Sequence, residues 1–182
     1  MNVELWVGPV LPVARCVPSL SPEDAAAVRR AASSAVADLV ATSRTMQRSV
    51  LARTLGVSVE DVRIDRRCAR CGHIGHGRPV AVDGPAYSVT RSGRIVAMAV
   101  VPCGAVGLDA EEERAGSRAW VRGEAALKAR GLGIDRLWAP EPQWIFDGLH
   151  LVDLRAGRRI GALATDRPVA SVCWRRWRPG PP

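Results

Sequence analysis

The chain has 182 residues, 47% of them hydrophobic and 24% charged, which excludes a disordered tail or a collagen-like fibre and leaves room for a core without disulfide staples. Five cysteines, at 16, 68, 71, 103 and 173, are odd in number and scattered, so a secreted disulfide framework is not expected and a cytoplasmic location is. The formal charge of +8 suggests an anionic partner. All but one of the 26 basic residues are arginine, however, and Lys128 is the sole lysine, a bias that fits a GC-rich genome better than a nucleic-acid interface. One Tyr and one Phe supply few stacking platforms, so no nucleic-acid partner is expected. Prolines 9, 12 and 18 interrupt the opening segment and no long uncharged apolar run follows, so neither export nor a membrane partner is expected.

Residues 3–7 alternate as a half-buried strand does. Ser21-Pro22-Glu23-Asp24 starts a helix with acids in its first turn, and Val28, Ala32, Val36 and Val40 follow at helical spacing. A second helix is predicted from Arg44 to Leu55, stopped by Gly56, and a strand over 61–65. The Gly-, Pro-, Cys- and His-rich stretch 66–86 reads as a connection, dividing the chain into an N-terminal half, 1–86, and a C-terminal half, 87–182. Strands are predicted at 87–90, 95–101 and 105–110, then a helix from Ser117 to Arg130 stopped by Gly131. Closing antiparallel strands follow within 144–154, 160–166 and 169–177. The class is α+β.

Four stretches carry candidate chemistry. In Gly107-Leu108-Asp109-Ala110-Glu111 a strand ends in carboxylates two residues apart, which share a face; the pair suits Mg²⁺, or else is a solvated acidic turn. Trp120, Glu124 and Lys128 fall at i, i+4 and i+8 on one helix face. A Glu-to-Lys pair at that spacing stabilises any exposed helix by ~0.3–0.5 kcal/mol, yet a chain that otherwise uses arginine places its one proton-donating lysine here. Cys68, Cys71, His73 and His76 are either zinc ligands or part of a basic glycine-rich loop that touches phosphate. Tyr87-Ser88-Val89-Thr90-Arg91-Ser92-Gly93 is a strand entering a turn, with hydroxyls flanking an arginine.

In this order, His76-Gly77-Arg78-Pro79, residues 87–93, Val106-Gly-Leu-Asp-Ala-Glu111 and Trp120-x₃-Glu124-x₃-Lys128 resemble the 4′-phosphopantetheinyl transferase superfamily, larger surfactin-synthetase-associated type. The resemblance extends to Arg48-Ser-Val-Leu51 and to the ending from His150, and so covers most of the chain. It implies two pseudo-twofold-related α/β halves with coenzyme A and Mg²⁺ between them. It also implies transfer of the phosphopantetheine arm to a serine of an acyl or peptidyl carrier protein. Asp109 and Glu111 would hold the metal, with Glu124 a third ligand or the base, and Lys128 would steady or protonate the leaving phosphate. Arg48, Arg78, Thr90 and Arg91 match positions that contact coenzyme A.

Three departures stand out. The family's Ser-His-Ser turn is Thr90-Arg91-Ser92, the lysine before the helix glutamate is Gly123, and only residues 112–119 separate Glu111 from Trp120. Family members usually carry the carrier-docking helix in that interval. A diverged relative that binds coenzyme A, an acyl-thioester or another small molecule of a natural-product pathway, without transfer, is therefore the alternative.

Overall fold

A computed structural model describes residues 1–68, 71–74, 77–132 and 143–179. It shows a mixed α+β protein with four α-helices and three sheets among those residues. The strands are β1 (Asn2–Pro9), β2 (Ile64–Asp65), β3 (Val80–Ala81), β4 (Ala86–Ser92), β5 (Ile95–Val101), β6 (Val106–Glu112), β7 (His150–Ala156), β8 (Arg159–Thr165) and β9 (Ser171–Arg176). The helices are α1 (Val13–Cys16), α2 (Pro22–Arg29), α3 (Ser34–Leu55) and α4 (Ser117–Arg130). Among the described residues no helix is long and apolar enough to cross a membrane.

Two sheets, ordered β4-β5-β1-β9 and β6-β8-β7, pack face to face, and α3 and α4 cover their outer faces. The side-chain period of two explains the layering. On β5, Val96, Met98 and Val100 meet Met46, Val50 and Leu51 of α3, whereas Ala97, Ala99 and Val101 meet Val106, Leu108 and Leu163 of the second sheet. Being buried on both faces, β5 is a continuous apolar run rather than an alternating one. On β8, Ile160, Ala162 and Ala164 pack under Val121, Ala125 and Leu127 of α4. The boundary expected at residue 86 falls on the first residue of β4, a strand joined through β5 to β1.

Local chemistry places several ends as expected. Ser21 caps α2 by accepting from the Asp24 N–H, and α4 spans Ser117–Arg130 with Gly131 in the left-handed conformation at its C-cap. Two expectations are corrected. The helix begun at Ser21 stops at Arg29, because Ser33 accepts from the Val36 N–H and starts a new helix that runs unbroken through Arg44 to Leu55. The last strand, β9, pairs parallel with β1 rather than antiparallel with its predecessor, since the chain crosses from one sheet to the other before it.

Candidate active site

β4 is one edge strand of its sheet and β6 one edge strand of the other, and the two lie side by side, laced by side chains. Three hydroxyls two residues apart on β4 make the lacing. Ser88 Oγ accepts the Leu108 N–H at 2.9 Å, Thr90 Oγ1 donates to Asp109 Oδ1 at 2.9 Å, and Ser92 Oγ donates to Glu111 Oε2 at 3.1 Å. Sequence reasoning saw hydroxyls flanking Arg91 but not this function. The signal was the Ser-x-Thr-x-Ser alternation on a strand, which puts all three on one face.

Helix α4 crosses the same face of β6. Gly107 makes the approach possible: a Cβ there would sit 1.8 Å from the Ala125 carbonyl oxygen. Two and four residues further along that face come Asp109 and Glu111, and α4 turns Trp120, Glu124 and Lys128 toward them. Thr90, Arg91, Asp109, Glu111, Trp120, Glu124 and Lys128, from three separate stretches of sequence, line one cavity of about 330 Å³. The chemistry inside is strongly polar. Lys128 Nζ lies 2.6 Å from Asp109 Oδ1 and 3.5 Å from Glu124 Oε2, and it donates to the Leu108 carbonyl at 3.2 Å. Burial pushes the Glu124 carboxyl above the usual range, the Lys128 ammonium pulls it back in part, and the negative charges of Asp109 and Glu111 push it up further.

Asp109 is only 4% exposed, and its second oxygen, Oδ2, is buried without a hydrogen-bond partner among the described residues. An orphaned carboxylate oxygen is costly. Asp109, Glu111 and Glu124 are carboxylates of the type from which Mg²⁺ takes its protein ligands, water and phosphate supplying the rest. They fit the metal in donor type but not in arrangement. The three acids do not close into a preset cluster, for no three His, Cys, Asp or Glu side chains among the described residues converge as metal ligands. Lys128 stands against Asp109 instead.

Two residues matched to coenzyme A contacts do not line this cavity. Arg48, buried on α3, donates from Nε to Asp24 Oδ2 at 2.7 Å and from a terminal nitrogen to the Val59 and Val62 carbonyls. It belongs to a buried network in which Arg44 and Arg66 also approach Asp24, and in which Arg66 and the Tyr87 hydroxyl both donate to Gln47 Oε1. Arg78 donates to the Ala129 carbonyl at 3.2 Å, near the C-terminal end of α4, where a cation is favoured. His76 lies outside the described residues. The Cys68 N–H donates to the His73 carbonyl and the Gly72 N–H to the Cys68 carbonyl, with Gly72 in the left-handed conformation.

No protein-family model matches the chain, and a search of curated proteins returns no significant match.

Proposed function

We propose that this protein transfers the 4′-phosphopantetheine arm of coenzyme A to a serine of an acyl or peptidyl carrier protein, with Mg²⁺, on the two-halved 4′-phosphopantetheinyl transferase fold. One observation carries the proposal. The residues matched by motif, Thr90, Arg91, Asp109, Glu111, Glu124 and Lys128, come from β4, β6 and α4 yet line a single cavity.

In this reading Asp109 and Glu111, held by the Thr90 and Ser92 hydroxyls, would hold the metal. Bound there, Mg²⁺ would neutralise charge on the pyrophosphate. Glu124, its carboxyl raised by burial, accepts the proton of the incoming serine hydroxyl. The serine oxygen bonds to the phosphorus that carries the pantetheine arm, and the bond from that phosphorus to the bridging oxygen breaks. That oxygen leaves on 3′,5′-adenosine bisphosphate. Lys128 donates a proton or a hydrogen bond to the leaving phosphate, and Arg91, exposed on the cavity wall, offsets its charge. Incubation with coenzyme A, Mg²⁺ and a panel of apo carrier proteins tests this: one carrier should gain the mass of a single phosphopantetheine. No gain on any carrier, with the protein folded, counts against transfer.

A specific feature favours the alternative of coenzyme A binding without transfer. β6 ends at Glu112 and α4 begins at Ser117, so only residues 113–116 join them, and no additional helix is present there to dock a carrier. Calorimetric binding of coenzyme A with no carrier modified would select this second reading.

A further inference from the structure

We infer that Lys128 is a displaceable resident cation of the acidic cavity: its ammonium holds Asp109 and Glu124 until a divalent ion enters, and that entry drives the side chain off Asp109. The inference rests on the divalent-cation part of the proposed function.

Two independent observations point to a site built for more positive charge than it holds. The first is the placement of the amine. Its three N–H donors face Asp109 Oδ1 at 2.6 Å, the Leu108 carbonyl at 3.2 Å and Glu124 Oε2 at 3.5 Å, which exhausts what an ammonium can give. The second is what remains unsatisfied. Asp109 Oδ2 stays buried without a partner, and Ser92 is the hydrogen-bond donor to Glu111. Three carboxylates thus line one cavity in which the cations are Lys128, set against Asp109 and Glu124, and Arg91 on the exposed wall. A divalent ion takes six or more oxygen ligands, water included, where an ammonium gives only three hydrogen bonds.

The identity of the residue matters to the exchange. Lys128 keeps 30% of its side chain exposed, and its flexible stem can carry a point charge several ångströms at little cost. Arginine, with its planar fork, would lock the carboxylates bidentately. In a chain with a single lysine, the one exchangeable cation stands where exchange is needed.

That single lysine also supplies the test. In protein labelled with ¹³C,¹⁵N-lysine, every lysine signal belongs to Lys128, and Mn²⁺ uptake is followed separately by electron paramagnetic resonance. On titration with Mg²⁺ the Lys128 Cε and Nζ resonances should shift and sharpen as the side chain is released. Lys128→Met and Lys128→Gln, each checked for folding by circular dichroism, should bind Mn²⁺ about tenfold more tightly than wild type, because the ion no longer competes with a bound ammonium. Binding by the variants alone overturns the inference, for it would show an ammonium that blocks the ion rather than one the ion displaces. Mn²⁺ uptake with unmoved Lys128 resonances, or with affinity unchanged or weakened in both variants, overturns it and leaves the cation site standing. No uptake by wild type or either variant removes the cation site itself, and the inference with it.

Discussion

Replacing Gly107 by alanine should damage both the fold and the site, because α4 rests directly on the backbone of β6 at that residue. The added Cβ would lie 1.8 Å from the Ala125 carbonyl oxygen, 2.6 Å from the Ala129 nitrogen and 2.8 Å from the Ala125 carbonyl carbon. All three are backbone atoms of α4, so no side chain can swing aside. Ordinary contact begins near 3.4 Å, which requires the helix to retreat by about 1.6 Å. Overpacking of this kind costs about 1–3 kcal/mol, and rigid backbone on both sides puts Gly107→Ala near 3. For a chain of this size that is a fall of about 6–12 °C in melting temperature. Gly157→Ala is the control, for it has a positive φ of 59° and nothing within 4 Å of its Cβ, so it pays only about 1 kcal/mol of backbone strain. Scanning calorimetry of the three proteins separates the terms. Gly107→Ala melting within 2–3 °C of wild type, or no lower than Gly157→Ala, would refute the close approach and the geometry it imposes on Glu124 and Lys128.

Other consequences are equally open to measurement. Arg48→Met should lose about 3 kcal/mol in urea unfolding, since it removes the 2.7 Å partner of a buried Asp24; a loss below about 1 kcal/mol would show that Arg44 and Arg66 suffice. Thr90→Val should cost about 1–2 kcal/mol by stripping a donor from buried Asp109, and Ser92→Ala less, because Glu111 is half-exposed; the reverse order would contradict the lacing of β4 to β6. Burial pushes the Tyr87 hydroxyl well above its ordinary value. Native protein therefore holds that proton where the unfolded chain releases it, so stability should fall as pH rises past about 10. Because the chain has one tyrosine, absorbance at the tyrosinate band isolates it, and ionisation should appear only together with alkaline unfolding. A titration in folded protein near pH 10 would contradict the buried network.

Where local rules govern, the sequence was legible. The two-residue spacing of Asp109 and Glu111 placed both on one strand face, and the i, i+4, i+8 spacing of Trp120, Glu124 and Lys128 placed them on one helix face; both faces meet in the cavity. The helix from Ser117 to Arg130 was bounded by its own residues. What escaped depends on partners distant in sequence. Nothing near Arg48 announces that Asp24 and two loop carbonyls will take its donors, and nothing near Arg78 shows that the end of α4 will. The parallel seat of β9 beside β1 joins the two ends of the chain, and the contact of β4 with β6 is made by side chains rather than a backbone ladder, so neither leaves a periodic trace. The break after Arg29 was local but subtle, a single Ser33 cap within an otherwise helical pattern.

The central proposal is that Asp109 and Glu111, beside Glu124, hold a divalent ion against a diphosphate. Calorimetric titration of coenzyme A into the protein, once with Mg²⁺ and once with a chelator, tests it most directly. The account predicts binding that depends on Mg²⁺ and is lost in Asp109→Asn. Equal affinity with and without the metal, or no binding in either, would contradict it.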